Sequence, residues 1–380
     1  MQPLAEKHRI PSVPHSRRPH TTSTRIRWLL VGALGCLLAG CAIVGPPSIR
    51  NGRAVYNDAI NDTNNQQLLM VIIRARYSET ASLLAVNNVT ANVSVSTSTG
   101  IQFGFGNESN YAGNLVPFSA SAVYEENPTI SYAPVEGQKY LRQLTRPVSL
   151  SILMPLCEAV VYPAPLLTAL IDRVNGLANP AFISSQTAAD PRFARFVELV
   201  SELAQADVLN WIEDPQQRGR FSAVIHHFRP EREDDVKELL QLLGLSVPMT
   251  DASEIVIPVS TGIGGGGSEG IVFTTRSVYN LVEILSAAVD IPGEDLTTGA
   301  AIGYPAANSP GKHLHVLRAR DKPDNAYVAV KHHGWWYYID ETDQPTKQFF
   351  LLVTVLWSVT IAESTAGSQK APILMLPASH

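Results

Sequence analysis

The sequence predicts an α+β fold, with antiparallel sheets, packed helices and a division into two lobes meeting near residue 211. Three observations predict it. From Val89 to Gly106 apolar or threonine residues (Val89, Ala91, Val93, Val95, Thr97, Thr99, Ile101, Phe103, Phe105) alternate with small polar ones, and period two over so many residues means β-structure. From Pro191 to Asp207, Phe193, Phe196, Val197, Val200, Leu203 and Ala204 recur at helical spacing. Beyond Trp211, strand-like and helix-like segments are interleaved without the regular spacing of a parallel βαβ fold and without internal repeats.

The amino terminus comes first in the chain. Arg17, Arg18, Arg25 and Arg27 precede an apolar run from Trp28 to Gly40. Its 13 residues fall short of the roughly 20 needed to cross a bilayer, and the order basic, apolar, small is that of a secretory signal peptide. The run closes on Leu38-Ala39-Gly40-Cys41. This tetrapeptide resembles the lipobox of bacterial lipoproteins. The resemblance implies cleavage between Gly40 and Cys41, with Cys41 carrying diacylglycerol and further acyl chains such as palmitate. Ala42, where an aspartate favours inner-membrane retention in the family, implies the outer membrane and its periplasmic face. One acyl chain holds a protein marginally and two or more hold it durably, so lipidated Cys41 is a permanent anchor. The 27 residues before the run exceed what the class usually carries, which points to a misassigned start codon or a tolerated extension.

Residues 1–40 contain six of the 29 Lys and Arg and one of the 34 Asp and Glu, leaving 23 basic against 33 acidic groups, a net charge of −10. Nucleic-acid binding depends on neutralising phosphates with Lys and Arg, so that role is excluded. Cys36 leaves with the leader and Cys41 is acylated, so Cys157 stands alone and no internal disulfide forms. Within Ile152-Leu153-Met154-Pro155-Leu156-Cys157 it reads as a small buried hydrophobe. No second apolar run is read as reaching spanning length.

Residues 41–52, with Pro46, Pro47 and Gly52, read as a tether, 53–210 as an N-terminal α+β lobe and 211–380 as a C-terminal one. A helix is expected over Arg53 to Arg76, its amide-rich middle NDAINDTNNQQ facing solvent. The alternating segment follows, with Ser98-Thr99-Gly100 as a possible hairpin turn, then strands at Phe118 to Tyr124 and Thr129 to Tyr132. Helices are expected at Gly137 to Leu144, at Leu166 to Val174 before the turn Asn175-Gly176, and at Pro191 to Asp207. The second lobe reads strand (Phe221 to Phe228), helix (Glu231 to Leu243), strand (Glu254 to Ser260), glycine-rich loop, strand (Ile271 to Thr275) and helix (Ser277 to Val289). A meander (His313 to Arg318, Ala326 to His332, Trp335 to Ile339) and a helix from Thr346 to Ile361 end it.

Candidate chemistry is sparse. Gly266-Gly267-Ser268-Glu269-Gly270 matches the G-x-S-x-G of a nucleophile elbow, but that elbow needs a strand before it and a helix after it. Here a strand follows, so a mobile hairpin loop is the preferred reading. A phosphate cradle fails for the same reason. His313 and His315 share a face if on a strand, and His332, His333 and Asp340 on neighbouring strands could complete a zinc site. Without H-E-x-x-H or C-x-x-C, exposed or hydrogen-bonded histidines are preferred, and neither metal nor other cofactor is expected. Trp335, Trp336, Tyr338 and Asp340 form the candidate ligand-binding set: aromatic faces beside carboxylates suit sugar rings, peptidoglycan above all. The competing and preferred reading is a strand buried on both faces.

Glu126-Asn127-Pro128-Thr129-Ile130-Ser131-Tyr132 and Trp336-Tyr337-Tyr338-Ile339-Asp340 are similar to stretches in a group of uncharacterised proteobacterial lipoproteins. The likeness extends over most of the mature chain and implies no activity. The expected function is therefore a non-enzymatic structural or interaction role at the outer membrane, through an envelope protein or peptidoglycan partner and with no catalytic residue. The alternatives are a periplasmic hydrolase and a subunit of an oligomeric outer-membrane pore built from residues 88–106, with apolar residues toward lipid.

Overall fold

A computed structural model of the chain describes residues 46–81, 83–100, 119–135, 137–179, 190–226, 230–247, 254–262, 269–304, 310–365 and 374–377. Gly40, Cys41, Ile101 to Gly106, His227, Ser268 and His380 lie outside them. The chain divides into two compact units, Met1–Asn61 and Asp62–His380.

Of the first unit the structure describes the opening of helix α1, Pro46–Arg76, which begins inside the expected tether. Prolines in a first helical turn forgo an N–H that would have no intrahelical partner. The amide-rich middle is largely exposed, as expected, and only the last turns carry a core stripe: Leu68, Leu69, Ile72 and Ile73.

The second unit is α+β. Strands β1 (Leu83–Gly100) and β2 (Ser119–Val135) pair antiparallel along their whole length, with a bulge between Val86 and Asn88. Neither breaks where the sequence suggested: β1 runs through Ser98-Thr99-Gly100, and the two strands expected between Phe118 and Tyr132 are one. The register sets like against like. Val89 faces Ile130, Ala91 faces Pro128 and Val95 faces Tyr124, while Thr90 faces Thr129, Asn92 faces Asn127 and Ser98 faces Ser121. Val93 opposite Glu126 and Ser96 opposite Val123 depart from this sorting.

Then come helices α2 (Gln138–Thr145), α3 (Leu150–Ala159) and α4 (Ala164–Leu170), and strands β3 (Ile171–Val174) and β4 (Leu177–Ala178). Helix α3 was not expected. It buries Leu150, Leu153, Met154 and Cys157, and burial pushes the Cys157 thiol up to about 12, so it is the inert core thiol the sequence suggested. The helix expected through Val174 stops at Leu170 for a tertiary reason. Buried Arg276 donates from Nη1 to the carbonyls of Thr168 (3.0 Å), Ala169 (3.0 Å) and Ile171 (3.1 Å), satisfying helix-end acceptors that a further turn would occupy. Asn175 and Gly176, both at positive φ, turn β3 into β4.

Helix α5 (Pro191–Gln205) is capped by Asp190, which accepts from the Arg192 amide, and buries Phe193, Phe196, Val197, Leu199, Val200 and Leu203. It packs on a sheet completed by β5 (Leu209–Glu213), β6 (Phe221–His226), β7 (Glu254–Thr261) and β8 (Ile271–Thr275), with helix α6 (Glu233–Leu242) beside it. The order is β4-β3-β8-β7-β6-β5. Residue 211 lies inside β5, and the sheet takes strands from both sides of it. Ile255, Ile257 and Val259 are buried whereas Val256 is exposed, so this face of β7 is covered and the other open. β7 and β8 pair parallel, which overturns the hairpin expected around the glycine-rich loop, since hairpin strands are antiparallel. A side chain at Gly270 would meet the Pro258 carbonyl oxygen at 2.8 Å, so glycine permits that close approach.

Helices α7 (Val278–Ala287) and α8 (Gly293–Thr297) lead to a three-stranded sheet of β9 (Leu317–Ala319), β10 (Ala326–His332) and β11 (Trp335–Asp340). It is not a meander, because β11 sits between β10 and β9. Helix α9 (Gln344–Thr365) follows, and β12 (Leu374–Pro377) pairs with β2. Contrary to the sequence reading, Gln344–Ser364 has the length and apolarity of a membrane span. Its buried stripe, Phe350, Val353, Leu356, Trp357 and Thr360, belongs to a helix packed on α2 and α7, while Leu351, Val355 and Val359 are exposed.

Candidate functional site

The expected ligand-binding residues sit on β11 but do not converge. Tyr337 and Ile339 are fully buried, and Trp335, Trp336, Tyr338 and Asp340 are half-buried, so β11 is closed on one face rather than both. Trp335 is already covered: the guanidiniums of Arg318 and Arg320 lie 4.5 and 3.4 Å from its ring centroid. Lys322 approaches Trp336 at 5.7 Å. Asp340 accepts from the Thr342 amide (2.8 Å), the Thr342 hydroxyl (2.6 Å) and Asn325 Nδ2 (2.6 Å), and these bonds hold its carboxyl below the usual range. It closes a turn. The open cleft nearby is lined by Asp62, Gln66, Lys322, Asp324 and Tyr327 and by none of the four candidates.

The histidines also part company. His313 ends a 3₁₀ turn, Pro310–His313, rather than lying on a strand. His315 Nδ1 is 3.1 Å from Asp343 Oδ2, which also accepts from the Thr346 hydroxyl. Burial alone would raise the Asp343 carboxyl, but bonds from Thr346 and His315 outweigh it and hold it low. Asp340 lies at the opposite end of β11 from His332 and His333.

What the structure does assemble is a cluster at the β10–β11 turn. His333 (φ 46°) and Gly334 (φ 80°) are its two central residues, both at positive φ as a type I′ hairpin turn requires. The turn stacks the two imidazoles, centroids 4.1 Å apart and planes 19° apart. The third member comes from the end of α1. Ser78 takes φ 57°, its amide donates to the Ala75 carbonyl (3.2 Å) and the Glu79 amide to the Arg74 carbonyl (2.9 Å), the two bonds of a Schellman motif. That motif reverses the chain and sets Glu79 against both rings: Oε2 is 3.2 Å from His332 Nε2 and Oε1 is 3.1 Å from His333 Nε2.

Tyr77 walls the cluster, its ring edge-on to His332 at 5.4 Å and tilted to His333 at 4.8 Å. Its hydroxyl donates to Asp295 Oδ2 (2.7 Å) and lies 2.9 Å from the buried Tyr337 hydroxyl. Burial, then these bonds, pushes Tyr77 far up, so it stays a neutral donor. His332 is pushed down by burial and by its neighbour His333, with Glu79 opposing in part. It is neutral at neutral pH. Sequence reasoning singled out both histidines but missed Glu79 and Tyr77, which lie more than 250 residues away along the chain; no local spacing links them.

No family model, curated protein or solved structure matches the chain.

Proposed function

We propose that the protein is a lipid-anchored cell-envelope lipoprotein with a non-enzymatic structural or interaction role at the outer membrane, facing the periplasm. The observation that carries it is Leu38-Ala39-Gly40-Cys41 closing a basic-then-apolar leader. Three residues of catalytic type support the non-enzymatic part by having other work: Asp340 closes a turn, Cys157 is a core thiol and His315 pairs with Asp343. Labelling cells with a palmitate analogue tests the reading. The label is expected on a chain that begins at Cys41 and is lost in Cys41→Ser; a purified chain that keeps its leader, or lacks acyl mass on Cys41, refutes it.

A second reading, the subunit of an oligomeric pore, is favoured by the β1–β2 ribbon. β1 has 18 residues where crossing the hydrocarbon takes about 9–11, and its register sets most apolar positions opposite apolar ones, Val93–Glu126 and Ser96–Val123 apart. Residues 88–106 protected from protease in membranes, with protection lost when the oligomer is dissociated, supports this reading. Free digestion in intact liposomes dismisses it.

A further inference from the structure

We propose that Glu79, His332 and His333 bind one divalent transition-metal ion of the zinc class, joining the end of α1 to the β10–β11 turn. Two imidazole nitrogens and one carboxylate oxygen are a donor set suited to such an ion, and three protein ligands leave a position for water. The spacing fits. Two ligand atoms each about 2.0–2.2 Å from zinc, set at the tetrahedral angle, lie about 3.3 Å apart. Glu79 Oε2 stands 3.2 Å from His332 Nε2 and its other oxygen, Oε1, 3.1 Å from His333 Nε2, so each ring meets one carboxylate oxygen at ligand spacing, and one donor atom from each of the three residues lies within 4.8 Å of the other two.

An independent observation points the same way. The His332 side chain is only 10% exposed, and although Glu79 is close, its Nε2 is buried without an aligned hydrogen-bond partner. A buried polar atom left unpaired is costly, and a metal ion in the cluster relieves it. His333, 48% exposed, gives the ion a route from solvent. The Tyr77 ring against both imidazoles, pinned through its hydroxyl to Asp295 and Tyr337, holds the ligands in place.

The test uses the full-length chain without an affinity tag, in detergent, stripped with chelator and titrated calorimetrically with zinc chloride. Saturation at one ion per chain is expected, and cobalt should give the visible bands of a four-coordinate nitrogen–oxygen site. Losing a ligand should cost more than the 10- to 100-fold that loss of an outer partner costs, so His332→Ala and Glu79→Gln are each expected to weaken binding by about 100-fold or more. His333→Asn, which tolerates positive φ, guards against a folding artefact and should behave alike. His315→Ala should bind as the parent does. Absence of saturable binding, or equal binding by parent, His332→Ala and His333→Asn, overturns the proposal.

Discussion

The two ends of the β10–β11 hairpin differ in one respect that matters. At the Asp340 end each carboxylate oxygen has partners, Thr342 and Asn325, and the turn is complete in itself. At the His332–His333 end a carboxylate from a remote helix faces two imidazoles, and a buried nitrogen lacks an aligned partner. Polar residues on one strand pair thus serve a local turn at one end and hold open ligating capacity at the other. Residue type alone does not separate the two; the accounting of partners does.

That contrast can be broken in graded ways. Tyr337→Ala should have the largest effect, about 3–5 kcal/mol in urea unfolding, because this fully buried ring lies between the two ends; a loss under about 1 kcal/mol would mean the hairpin is not part of the core. Tyr337→Phe removes only the hydroxyl beside Tyr77 and should cost about 1 kcal/mol, with zinc affinity falling and the Asp340 turn unchanged.

The pH dependence separates the ends further. His332 titrates lower in the fold than in the unfolded chain, so the unfolded state binds the extra proton first and stability rises with pH. Its contribution is complete above the unfolded value of about 6.5 and is lost as pH falls below it. His332→Gln should flatten that limb of a melting-temperature profile. Asp340 is also lowered, so its contribution is complete above about 4 and disappears only in stronger acid. Asp340→Asn should therefore leave the profile near pH 6 unaltered, the smallest change of the four, and any slope it introduced there would break the distinction.

Much of the fold was legible. Period two marked β1, helical spacing marked α5, and Asn175-Gly176 announced its turn, because each is a local preference that the tertiary structure reinforces. The misses are tertiary. Arg276, over a hundred residues away, ends α4 at Leu170; the strand order that puts β11 between β9 and β10 follows from packing, not spacing; and α3 was hidden in an apolar run with Pro155 inside it. The cluster was half legible. His332-His333-Gly334 stood out, but Glu79 reaches it through a Schellman motif in which Ser78, not glycine, adopts positive φ.

The pairing of β1 with β2 carries a genetic consequence. Removing one codon between Val89 and Gly100 would transpose every later position to the opposite side of the strand, whereas removing two would restore parity. The irregularity between Val86 and Asn88 already absorbs one odd residue, so the pairing tolerates a change of parity at that point. In a deletion scan through this segment, survival should alternate with the number of residues lost, even against odd.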